Sequence, residues 1–116
     1  MDFPERLTSL RSDVEGSTGA ALIGLDGLPI KSTSSGMDME SLAAEYASIL
    51  GDAQKAMRDL TLGKMRMLSV LTDRMNIFFS LLQSEYFLAF TLDNRGGWGR
   101  ARYRVGAHSR KLEEEM

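Results

Sequence analysis

The chain of 116 residues contains no cysteine and a single histidine, His108. It therefore has no disulfide, no thiolate metal site and no cysteine nucleophile. Nor is there a second histidine to complete a metal pair, or a nucleophile and acid arranged around His108 as a triad. The missing cysteine suits a reducing compartment. Long apolar runs are also lacking. The most apolar stretch, residues 75–92, is interrupted by Asn76, Ser80, Gln83, Ser84 and Glu85, which rules out a membrane-spanning helix there. The opening MDFPERL has neither the basic nor the apolar region of a signal peptide. Charge of one sign is scarce too: 14 Lys and Arg stand against 16 Asp and Glu, a net charge of −2. That balance argues against a general nucleic-acid binder or a protein held on anionic membranes. A cytoplasmic protein is expected.

What remains is the composition of a folded domain, with 43% hydrophobic and 26% charged residues. The length fits one domain, residues 1–116. Phe3, Leu7, Leu10 and Val14 share a helical face, with Pro4 in the first turn and Gly16 as the stop. Residues 17–26 are apolar on both alternations, as in a strand covered on both faces. Asp26-Gly27 signals a two-residue hairpin turn, and Pro29 assigns the return strand, residues 28–33, to a sheet edge.

A long helix is predicted over residues 38–60, with Asp38 as N-cap. Its apolar stripe is Met39, Leu42, Tyr46, Ile49, Leu50, Ala53, Met57 and Leu60. Beside that stripe Ala43, Ala44, Ala47, Ser48 and Gly51 form a surface of small side chains. Two uses fit them: close approach of a second helix, or a close fit to the protein's own sheet. Gly63 closes the helical region. Three strands then follow, over residues 64–72, 75–82 and 86–92, with tight turns at Asp73-Arg74 and Gln83-Ser84-Glu85. The last two are apolar on both alternations and belong inside the sheet, which leaves residues 64–72 as a second edge. Asp93 or Asn94 is expected to cap a final helix with the stripe Trp98, Ala101, Val105, His108 and Leu112.

The order helix, hairpin, helix, three-stranded meander, helix predicts an α+β fold: five mostly antiparallel strands with helices on both faces. The two edges differ. Pro29 blunts one, whereas residues 64–72 have no proline and alternate Met65 and Met67 with Arg66. That edge is free to pair with a copy of itself.

The run GAALIGLDGLPIKSTSS (residues 19–35), the helix after it and the run FLAFTLDNRGGWGRARYRV (residues 87–105) together resemble the roadblock/dynein light-chain family. The likeness is strongest to its bacterial gliding-motility members, regulators of a Ras-like polarity GTPase. It spans nearly the whole chain in the same order of elements. The resemblance implies a homodimer in which the third strands join two sheets, with the long helices paired on one face. It also implies a small Ras-like GTPase as partner and no catalytic centre in this chain. Carried onto this sequence, the dimer seam falls on Met65, Arg66, Met67 and Ser69, with Ala43 and Ala47 of the long helix. The GTPase platform falls on Glu45, Ser48, Asp52 and Lys55.

The residues themselves hold no rival chemistry. Gly63-Lys64-Met65 echoes a phosphate loop, but no glycine stands five residues earlier and no Ser or Thr follows the lysine. Gly96-Gly97-Trp98-Gly99 lacks the Lys-Ser/Thr pair and reads as a chain reversal with Trp98 packed inward. His108 reads as a hydrogen-bonded, part-buried imidazole, and Asp26, Asp73 and Asp93 as turn and cap residues. Arg95 adjoins the expected cap and reads as a surface arginine rather than a finger supplied to a GTPase. No acidic residue occurs between Arg95 and Lys111. Arg100, Arg104 and Lys111 share a face that is either solvated or set against an acidic partner. No cofactor, metal or nucleic acid is expected. The reading is a regulator that promotes GTP hydrolysis by a GTPase, with a structural adaptor that leaves turnover unchanged as the alternative.

Overall fold

A computed structural model describes residues 2–83 and 85–116; Ser84, in the turn expected at 83–85, lies outside them. Helix α1 (Phe3–Asp13) starts where the Asp2 carboxylate accepts the Glu5 amide at 2.9 Å, with Pro4 in its first turn. Strands β1 (Ser17–Gly24) and β2 (Pro29–Ser34) form the hairpin. Its loop is longer than the two residues expected. Gly27, at φ 88°, donates to the Gly24 carbonyl, and the Asp26 carboxylate accepts the Leu28 amide at 3.0 Å. These local bonds end β1 at Gly24, two residues before the Asp-Gly pair.

Helix α2 (Met39–Asp59) is capped by Asp38, whose carboxylate accepts from the Ser41 amide and hydroxyl. Those bonds, to the backbone first, hold the Asp38 carboxyl below its ordinary value. The helix closes before Gly63: Thr61 takes the left-handed conformation at φ 57°, and the Leu62 amide returns to the Met57 carbonyl. Strands β3 (Met67–Leu71), β4 (Met75–Leu82) and β5 (Tyr86–Asp93) form the meander, and α3 (Trp98–Glu115) ends the chain. The cap of α3 is Gly97, not Asp93 or Asn94. Asp93 is instead engaged by Arg95, and the Asn94 side chain donates to the Asp73 carbonyl at 2.6 Å.

The sheet order is β2-β1-β5-β4-β3, with every neighbouring pair antiparallel. Pairing of β1 with β5 joins hairpin to meander and leaves β2 and β3 as the two edges. Strands β1, β4 and β5 are buried along most of their length, as their two-sided apolar pattern requires. One face, carrying Leu22, Phe78 and Phe90, packs under α1 and α3. The other, carrying Ile23, Phe79 and Phe87, packs under α2, where Tyr46 stacks on Phe79 at 4.7 Å. Among the described residues no helix is long and apolar enough to cross a membrane.

Candidate interaction site

The open edge is β3. Arg66 accepts the Leu81 amide and Thr72 donates to Met75, which fixes the alternation of the β3–β4 ladder. Arg66, Leu68, Val70 and Thr72 direct their main-chain groups toward β4. Those of Met67, Ser69 and Leu71 therefore point outward, unpaired within the protomer. Leu68 and Val70 pack their side chains into the α2-side core, while Leu71 remains 60% exposed. The strand is shorter than the expected 64–72. Lys64, Met65 and Arg66 lead into it after the left-handed Gly63, and Met65 tucks its side chain toward the α2-side core. Of the four seam residues expected on this segment, Met67 and Ser69 lie in the strand, and Met65 and Arg66 precede it.

Helix α2 presents two different flanks. On one, the small residues meet the protomer's own hairpin: a Cβ built on Gly27 would lie 3.5 Å from the Ala47 Cβ and 3.8 Å from the Ala43 carbonyl. Ala43 is fully buried and Ala47 partly so. Ala43 is thus closed off within the protomer, while Ala47 keeps part of its surface. The small side chains let the hairpin close against the helix. On the opposite flank Ile49 is 46% and Leu60 65% exposed, although helical periodicity placed both in the core stripe. Ile49 lies at the margin of the stripe, and Leu60 is the C-cap residue beyond Asp59, the last residue of the helix. Between the flanks the outward face carries Glu45, Ser48, Asp52 and Lys55, all exposed, with Lys55 paired to Asp59 one turn on.

Charged pairs tie the far side of the molecule together. His108 Nε2 and Asp13 Oδ2 are 2.8 Å apart and link α3 to α1. That hydrogen bond is the main reason the Asp13 carboxyl titrates below its ordinary range. Arg6 in α1 pairs with Glu115 in α3 at 2.6 Å. Arg95 holds Asp93 through its side chain and its amide, which lowers the Asp93 carboxyl to about 2. Trp98 is 41% exposed rather than packed inward, one side toward Phe78 and the other within 6.0 Å of Arg102. Arg11, which no sequence pattern singled out, donates to Ser17, Thr33 and Ser35 and fastens α1 to the first hairpin. Among the described residues no group of three or more His, Asp or Glu side chains is placed to hold a metal ion.

Solved structures share this fold. A Roadblock/LC7 domain from Streptomyces avermitilis is 20% identical, with a TM-score of 0.86 over 99% of this chain and 98% of that one. MglC from Myxococcus xanthus is 26% identical, with a TM-score of 0.71 over the whole of both chains. MglB from the same organism is 18% identical, with a TM-score of 0.85 over 98% of this chain and 96% of that one. No curated protein matches the sequence. Residues 4–91 match the Roadblock/LC7 domain, which takes in β1 to β4, most of β5, α2 and nearly all of α1, and the chain belongs to that family.

Proposed function

We propose that the protein is a cytoplasmic, non-catalytic dimeric regulator that binds a small Ras-like GTPase and promotes its GTP hydrolysis by repositioning the GTPase's own residues. The observation that carries the reading is β3, an edge strand without proline whose outward main-chain groups are unpaired within the protomer. The resemblance of the sequence to bacterial gliding-motility regulators supplies the class of partner. A two-fold antiparallel pairing of β3 with itself must set outward-facing residues opposite one another. Centring it on Ser69 places Met67 opposite Leu71 of the second copy and uses all three outward-facing residues. Ile49 of α2 and Leu60 at its C-cap offer exposed apolar surface to the same seam, together with the part-exposed Ala47. The acidic and polar face of α2, around Glu45, Ser48, Asp52 and Lys55, is then the platform for the GTPase. Tighter binding to the hydrolysing conformation than to the resting one accelerates turnover without a residue inserted from this chain.

The seam has a direct test because the chain has no cysteine. In Ser69→Cys the two copies oppose their thiols across a pair with Cα atoms about 5.5 Å apart, within disulfide reach. Mild oxidation should yield a covalent dimer, whereas Leu71→Cys, opposite Met67, should yield little. The function is tested by phosphate release from a GTP-loaded Ras-like GTPase of the same organism. Acceleration that E45K/D52K weakens is the expected result. A complex with unchanged turnover would make the protein an adaptor, and no complex with any such GTPase would overturn the reading.

A further inference from the structure

On the face opposite α2, the segment leading into β3 and the outer flank of α3 enclose a groove of about 500 Å³. Lys64 and Arg66 line one wall, Arg102 and Arg110 the other. Glu113 is the one carboxylate among the described lining residues, and its Oε2 already accepts the Gln83 amide at 3.2 Å. Among the described residues the ion pairs Arg6–Glu115, Lys55–Asp59, Arg95–Asp93 and His108–Asp13 use none of the four cations. Met67, whose side chain packs on the α1 and α3 side, supplies an apolar part of the lining. A chain with a net charge of −2 thus gathers four cations around one groove and leaves them without carboxylate partners.

We infer that this groove is a second docking site, which takes an acidic peptide segment of a partner protein with apolar residues between its carboxylates. Three of the four cations are arginines, whose planar forks match carboxylates bidentately. The Met67 thioether adapts to varied apolar residues beside it. The occupant's charge follows from scale. A few carboxylates balance the local excess, whereas nucleic acid carries a charge about every 1.7 Å and meets a protein of net negative charge. A concave site between a helix and a strand does not suit the plane of a membrane. The inference does not rest on the GTPase reading, since the two surfaces lie on opposite faces of the sheet.

The test uses a short fluorescein-labelled peptide that alternates Glu or Asp with Leu, followed by anisotropy at low and at physiological salt. A lysine-for-glutamate counterpart, single-stranded RNA and phosphatidylserine vesicles are the comparisons. Binding of the acidic peptide should weaken with salt and fall about tenfold or more in R102E/R110E, a loss of about 1.4 kcal/mol or more. R100E/K111E, on the other flank of α3, should bind as the unaltered protein does. Circular dichroism and light scattering check that each variant keeps its fold and oligomeric state. R102Q/R110Q makes the same comparison without charge reversal if the first variant does not fold. Absence of peptide binding, equal binding by the arginine variants, or tighter binding of RNA or vesicles through the same arginines would overturn the inference.

Discussion

His108 shows how one side chain ties two remote helices. Its ring is nearly buried, and its Nε2 has Asp13 as partner 95 residues away in sequence. Removing that carboxylate leaves a buried polar atom unpaired, which costs about 1–3 kcal/mol. Asp13→Ala is expected to lower unfolding free energy by that order in urea titrations. The sign of the pH dependence follows from the lowered carboxyl of Asp13. Its stabilising contribution is complete above the ordinary value of 3.8 and is lost as pH falls through the lower value of the folded state. Acid unfolding curves of Asp13→Asn should lack this component. Asp93 gives a second residue-level check, because Arg95 lowers its carboxyl to about 2. NMR titration should find its midpoint there and return it toward 3.8 in Arg95→Ala.

Among the elements, α2 and β3 carry opposite kinds of incompleteness. Gly51 sits inside α2 with nothing within 4 Å of an added Cβ, so Gly51→Ala should stabilise the protomer by about 0.5–1 kcal/mol. A weaker dimer or GTPase complex in that variant would show that the bare backbone serves close approach by another chain. On β3, Ser69→Pro removes an amide that points away from β4 and leaves the ladder within the protomer intact. Light scattering should find folded monomers. An unaltered dimer would place the seam elsewhere.

For the whole molecule, two cores share one sheet, and each depends on its own pair of fully buried phenylalanines, Phe78 with Phe90 and Phe79 with Phe87. Phe79→Ala also removes the stack under Tyr46 and is expected to cost about 3–5 kcal/mol, read from denaturant unfolding. If two protomers associate through β3, folding and association are linked, and the melting temperature should rise with protein concentration. A melting temperature independent of concentration would mean that the protomer holds its fold without its copy.

Much of this was legible from the residues. Apolar residues on both alternations marked β1, β4 and β5 as inner strands, Pro29 marked one edge, and the less apolar segment before β4 was left as the other. The element order and the fold class follow from those patterns, because burial on one or two faces leaves a period in the chain. Periodicity reports how much of an element is covered, but not by what. It therefore could not show that Ala43 and Ala47 receive the hairpin at Gly27, or that Ile49 and Leu60 stay open. Nor could it bring Lys64 and Arg66 beside Arg102 and Arg110, or Asp13 beside His108. Those neighbours are distant in sequence, and the sheet order, with β1 beside β5 and β3 at the edge, determines where their elements meet. The sequence determined that this protein has a sheet edge without proline and a long helix with a polar outward face. Tertiary packing decided which flank of that helix stays exposed and which arginines gather in the groove on the opposite face.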